Sequence, residues 1–231
     1  MDIHYNKRME MIAEELINHM IPPLKLKDDA HKAMLWMEEL RSNELPVVDN
    51  EKFIGLITED LILEANDVER LVSELKPKNA NCYVSQGSHF YDVIKTAADY
   101  SSQMVGVVDE EGHYIGVITV QDTITSFAQS AAVQLPGGII VISLKQIDYS
   151  LSEISRLIEE NSAKVLSASV KEDDLDPARI KLTIKINRLD LTAVIATLER
   201  FDYQIIASYQ EPKIMDDKKD RIDMFLRYLD I

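Results

Sequence analysis

The sequence predicts a mixed α/β chain of the α+β kind: two β-α-β-β-α repeats, then a ferredoxin-like βαββαβ unit. Three observations carry that prediction. The first is an internal repeat of roughly 60 residues. Leu45-Pro-Val-Val-Asp49 and Gly55-Leu-Ile-Thr58 return as Val105-Gly-Val-Val-Asp109 and Gly116-Val-Ile-Thr119, with one residue gained in the turn. The second is Pro136-Gly137-Gly138, where two of only seven glycines follow a proline and neither helix nor strand continues easily. The third is the order of apolar patterns beyond that break. Ile139 to Leu144 is a near-continuous strand, and Leu151, Ile154, Leu157 and Ile158 mark a helix. Leu166, Ala168 and Val170 alternate as a second strand, and Ile180, Leu182, Ile184 and Ile186 as a third. Leu191, Val194, Ile195 and Leu198 give the second helix, and Tyr203 to Tyr209 the last strand.

In chain order, Ile12, Leu16 and Met20 stand four apart with Ala13 and Ile17 beside them, which predicts an amphipathic helix over residues 6 to 20. Pro22-Pro23 stops it, because neither proline donates an amide. In copy one, Asp28-Asp29 caps a helix through Arg41 with an apolar stripe of Ala33, Met34, Met37 and Leu40. A hairpin over 45 to 57 follows, then a helix after Thr58 carrying Leu61, Ile62, Ala65 and Val68. Lys76-Pro-Lys-Asn-Ala-Asn81 is turn chemistry separating the copies. Copy two repeats the plan from Cys82, with Val84, Val93 and Ile94 opposite Leu24, Ala33 and Met34. Its hairpin turns at Asp109-Glu-Glu-Gly112, and its last helix runs from Thr119 to an end by Leu135. After Pro212, Ile222, Phe225, Leu226 and Leu229 fall on one face of an amphipathic helix over 213–231.

Charge and cysteine content narrow the function. A net charge of −15 opposes binding to nucleic acid or to anionic membrane, whose phosphates repel such a chain. Proteins and small molecules are the expected partners. The lone Cys82 forms no internal disulfide, the N-terminus lacks the pattern of a signal peptide, and no apolar run approaches a membrane span. The expected compartment is the cytoplasm.

The two copies of strand, helix, Val-Val-Asp hairpin and Gly-x-Ile-Thr resemble a CBS-domain pair over about residues 10 to 134. On that resemblance the pair with its N-terminal helix occupies 1–135, copy one about 10–76 and copy two about 77–135. The family pattern ends Gly-x-x-Thr-x-x-Asp. Copy two meets it with Gly116, Thr119 and Asp122, whereas copy one reads Thr58-Glu-Asp60-Leu61 and holds Leu61 in the aspartate slot. The βαββαβ unit over 139–211 resembles an ACT domain, and the whole order is similar to acetoin-utilisation-type CBS/ACT proteins. Only Asp148 matches the residues usual at the first strand-to-helix turn; Tyr149-Ser150 replace the family's glycine.

Taken alone, Thr119 and Asp122 read as a helix cap, a threonine followed three residues on by an acid. The resemblance adds a ligand. It implies that this pair faces a cleft between the copies and holds a nucleoside: the carboxylate accepts from ribose hydroxyls, helix-start amides meet a phosphate, and Val84 and Val105 sandwich the adenine. Gly116 and, in copy one, Thr58 complete the implied set. The ligand class is adenosine-containing, AMP, ADP, ATP or S-adenosylmethionine, as a regulatory ligand rather than a cofactor.

The five histidines have no metal-ligand spacing, and no phosphate-cradling glycine loop or nucleophile motif occurs. The resemblance, with no enzyme motif beside it, implies a non-enzymatic sensor, homodimeric as CBS pairs and ACT domains commonly are and acting on an unidentified protein target. The alternatives are a dimerisation module with degenerate sites, or an amino-acid sensor working through the ACT-like domain.

Overall fold

A computed structural model describes residues 11–210 of the 231. The predicted helix over 213–231 and the start of the one over 6–20 lie outside them. Contacts divide the chain between Ala128 and Gln129 into two compact units.

In the first unit, helix α1 (Ala13–Leu16) precedes copy one: β1 (Leu24–Lys25), α2 (Ala30–Leu40), β2 (Glu44–Asp49), β3 (Lys52–Thr58), α3 (Glu59–Ala65) and α4 (Val72–Leu75). Copy two is β4 (Tyr83–Ser85), α5 (Phe90–Asp99), β5 (Met104–Val108), β6 (Tyr114–Thr119) and α6 (Val120–Ala128). Each copy forms a three-stranded sheet in which the first strand runs parallel to the second and the second antiparallel to the third. The registers slip at the same place, between Val47 and Val48 and between Val107 and Val108. The caps follow from the sequence. Asp29 accepts from the Lys32 amide at 2.8 Å, and Thr58 from the Leu61 amide at 3.3 Å.

Three predicted helices change extent. The N-terminal one stops at Leu16: from Ile17 the chain is non-helical, because Asn18 donates its amide to the Val117 carbonyl at 2.8 Å and lays the segment against β6. The helix after Thr58 ends at Asn66 in the left-handed conformation, leaving Val68 59% exposed in a loop whose carbonyl at 68 accepts from the His31 amide. The helix after Thr119 ends at Ala128, and a separate short helix, α7 (Ala131–Gln134), follows in the second unit.

The copies exchange their opening segments. Residues 17 to 21, ahead of copy one, cross copy two; residues 77 to 81, ahead of copy two, cross copy one, where Leu56 and Lys78 exchange backbone hydrogen bonds of 2.8 and 2.9 Å. A glycine makes each crossing possible. A Cβ on Gly116 would lie 2.4 Å from Ile17 Cγ2, and one on Gly55 2.3 Å from the Lys78 carbonyl oxygen. Phe53 joins the copies further, packing over Gly106 and stacking on Tyr114 at 6.1 Å between ring centroids. The Tyr114 phenol is held above its usual range by burial.

The second unit runs β7 (Gly138–Lys145), α8 (Leu151–Glu160), β8 (Val165–Glu172), β9 (Arg179–Ile186), α9 (Thr192–Arg200) and β10 (Gln204–Tyr209). Its sheet order β10-β7-β9-β8 is antiparallel throughout, the split arrangement of a ferredoxin-like βαββαβ unit. Both helices cover one sheet face, burying Ile140, Ile142, Leu182 and Ile184 against Ile154, Leu157, Val194 and Leu198. Strand β8 exists as predicted, but as an edge strand its apolar residues stay half-buried or exposed, Val170 at 48%.

Candidate functional site

The turn from β6 into α6 closes as a capping box. Thr119 Oγ1 accepts from the Asp122 amide at 3.0 Å and donates to Asp122 Oδ2 at 2.6 Å; the Thr119 amide donates to the same oxygen at 3.3 Å. A third donor comes from the crossing segment, Asn18 Nδ2 at 3.0 Å. Asp122 is thus fixed through Oδ2, and Oδ1 has no hydrogen-bond partner among the described residues.

Asp122 borders a cavity of about 470 Å³ within the paired unit. Copy one supplies Leu40, Arg41 and Ser42; copy two supplies Gln103, Met104, Thr119 and Ile124; the crossing segment supplies Asn18, Met20 and Ile21. The wall is apolar along Ile21, Leu40, Met104 and Ile124 and polar at Asn18, Thr119 and Asp122. Among the described residues Arg41 is its one cation and Asp122 its one carboxylate. The guanidinium has no ion pair among the described residues.

The predicted residues separate into three groups. Thr119 and Asp122 reach the cavity. Val84 and Val105 do not: they are 7% and 0% exposed and belong to the core of copy two, so neither face is open to sandwich a base. Gly116 is covered by Ile17 and serves close packing rather than ligand contact. Thr58 caps α3 in copy one, away from this cavity.

Sequence reasoning missed Asn18, Met20 and Ile21, which reach this cavity on the crossing segment, and Arg41 and Ser42, which reach it from the end of α2 in copy one. The misread helix over 6 to 20 hid the exchange of opening segments. The available signal was Pro22-Pro23, which sets the end of the crossing segment.

The equivalent place in copy one differs in composition. Arg41 and Ser101 occupy matching positions, both left-handed with φ of 53° and 50°, ahead of serines whose amides donate to Met37 and Ala97. Glu44 and Met104 match as well, pairing with Thr58 and Thr119. The copy-one place therefore meets Ser101 of copy two where the copy-two place meets Arg41 of copy one, and has its own Glu44 carboxylate for a thioether. Glu44 is 9% exposed; its Oε2 accepts from Ser102 Oγ at 2.6 Å and from the Gln103 amide at 3.0 Å. Leu61 takes the aspartate slot, and Asp60 is exposed.

Other chemistry is quiet. Burial pushes the Cys82 thiol up to about 11 while Sγ donates to the Met104 carbonyl, which keeps it protonated and unreactive. Among the described residues no group of three His, Cys, Asp or Glu side chains could hold a metal ion, and no helix is long and apolar enough to cross a membrane.

The second unit has an open cavity of about 520 Å³ at the turn after β7, bordered by Lys145, Asp148, Glu153, Arg179, Tyr203 and Gln204. Arg179 donates only to neutral groups there, Ser143 and Gln204, at 2.9 to 3.1 Å.

No protein-family profile matches the chain. An uncharacterized protein of Methanocaldococcus jannaschii is 23% identical over 207 residues, covering 88% of this chain and 77% of that one. Similar solved structures are CBS-domain pairs. One is a CBS domain pair/ACT domain protein from Thermotoga maritima, 18% identical, covering 52% of this chain and 98% of that one with a TM-score of 0.48. Another is the CBS domain pair of the protein MJ0100, solved with 5′-methylthioadenosine and S-adenosyl-L-methionine; it is 21% identical, covers 51% and 95%, and has a TM-score of 0.41.

Proposed function

We propose that the paired unit binds one adenosine-containing ligand per chain beside Asp122, and that the protein is a regulatory sensor without a reaction of its own. One observation carries the reading: a carboxylate oxygen without a partner among the described residues and an arginine without an ion pair among them border the same cavity, with apolar wall between the two. The Asp122 carboxylate accepts the ribose hydroxyls, Arg41 takes an anionic group, and Ile21, Met20 and Ile124 flank the base in place of Val84 and Val105. Solvent-facing Leu35 and Leu63 in copy one and Ile94, Ile124 and Phe127 in copy two support a homodimer formed through these helices.

Calorimetry with AMP, ADP, ATP and S-adenosylmethionine tests the reading. One of them is expected to bind once per chain, and saturation at a hundred times its dissociation constant to raise stability by about 2.7 kcal/mol. Binding of none of the four, or two equal sites per chain, overturns it. Light scattering that returned the 26.3 kDa monomer at high concentration would remove the dimer.

A second reading, an amino-acid sensor, is favoured by the cavity of the second unit, where Arg179 suits a carboxylate and Asp148 and Glu153 an ammonium group. Amino-acid titration in which Arg179→Met loses binding and Asp122→Ala keeps it would favour this reading over the first.

A further inference from the structure

Arg41 borders two cavities. One is the space beside Asp122; the other is a groove of about 620 Å³ between α2 and α3 on copy one, lined by His31, Met34, Glu38, Asn43 and Glu59. The side chain is exposed at the rim between them, on a residue fixed by its left-handed backbone and by amide bonding to the end of α2. One guanidinium cannot compensate an anion in the inner cavity and carboxylates in the outer groove at full strength in both. The matched groove in copy two shows no such sharing. There α5 and α6 present Val93, Ile94, Ala97, Val120 and Ile124, and Ser101 stands in for Arg41.

We propose that Arg41 links the two cavities of copy one: the anionic group of a nucleotide in the inner cavity and the Glu38 and Glu59 carboxylates of the outer groove compete for its guanidinium. The inference rests on the adenosine-site reading and adds its regulation. Occupancy beside Asp122 leaves the outer groove more acidic, and neutralising that groove tightens nucleotide binding. The link is reciprocal and needs no movement of either copy. Because Arg41 and Glu38 are exposed and Glu59 is half-buried, screening keeps the effect modest.

The experiment is a titration of AMP and of adenosine into the full chain, with Arg41→Met, Glu38→Gln/Glu59→Gln and all three changes together. Arg41→Met is expected to weaken AMP about tenfold and to leave adenosine within about twofold, a contrast that a folding defect would not produce. Glu38→Gln/Glu59→Gln is expected to tighten AMP about threefold in the parent and not in the Arg41→Met background. That second comparison separates a link through Arg41 from the general gain any anion enjoys when a chain of net charge −15 loses two carboxylates. If the glutamine pair tightens AMP equally in both backgrounds, or in neither, the link is wrong and the adenosine site stands. If the parent binds neither AMP nor adenosine, the reading beneath it falls too. Thermal melts of each variant show that the chain is folded.

Discussion

At the end of β6, Asp122 reaches back to Thr119 and Asn18 reaches across to meet it; at the end of β3, Thr58 receives only the Leu61 amide, and an apolar side chain stands where the carboxylate would be. The two copies share backbone to the level of the register slip and the left-handed residue before the second strand. They part in the few side chains that face their clefts. The cavity at Asp122 is bordered by Arg41 of copy one and an apolar wall, whereas at the matched positions Ser101 of copy two stands for Arg41 and the buried Glu44 of copy one for Met104. The backbone plan is kept in both copies, and the side chains at matched positions differ in charge and polarity, Glu44 for Met104 and Leu61 for Asp122.

The largest test of this comparison uses the two crossing glycines. Gly55→Ala is expected to destabilise by about 3 kcal/mol, since φ is +140° and the new methyl meets the Lys78 carbonyl, a backbone atom with little room to yield. Gly116→Ala meets the Ile17 side chain, which can rotate, and is expected to cost about 1 kcal/mol. Urea melts measure both; equal losses would show that the crossings are equally tolerant and break the contrast. Asp122→Ala is next, with a five- to hundredfold loss of ligand affinity, about 1 to 3 kcal/mol, from ribose hydroxyls left unpaired. Removing the capping box costs up to about 1 kcal/mol of stability as well, so melting must accompany the calorimetry. Unchanged binding in Asp122→Ala together with its loss in Asp60→Ala would move the working site to copy one.

Glu44→Gln sharpens the comparison from the other side. The amide keeps an acceptor for Ser102 and Gln103 without the charge, so a stability change within about 1 kcal/mol and no second ligand are expected. A second equivalent of AMP bound by this variant would mean that charge alone silences copy one. The smallest effect concerns the copy-two hairpin. Amides of His113 and Glu111, together with the His113 ring, hold the Asp109 carboxyl below the usual carboxylate range. A depressed pKa in the folded state contributes stability above the unfolded value and loses it as pH falls through the folded one. Acid melts from about pH 5 to pH 2 should therefore show a shallower loss in Asp109→Asn than in the parent; parallel curves would assign the turn no role.

Much of this fold is legible along the chain because its signals are local. Apolar alternation at Ile180 to Ile186, the Asp29 and Thr119 caps and the repeat of Val-Val-Asp each report on residues within a turn or a strand of one another. Thr119 and Asp122 belong to that class, three residues apart on one helix turn. What the sequence could not carry is the exchange of residues 17 to 21 and 77 to 81 between the copies, which brings Asn18 and Ile21 to the cavity of Asp122, and the packing of the copies that sets Arg41 at the same cavity. Helical spacing of Ile12, Leu16 and Met20 argued for one continuous helix, and a hydrogen bond to Val117, a residue distant in sequence, overruled it after Leu16. Val84, on the edge strand β4, and Val105, on the central strand β5, fail for a related reason: an apolar strand residue has two faces to choose from, and tertiary packing put both side chains in the core. The sequence by itself determined the elements and the chemistry of the capping pair; which side chains share its cavity was decided by long-range packing that no local period encodes.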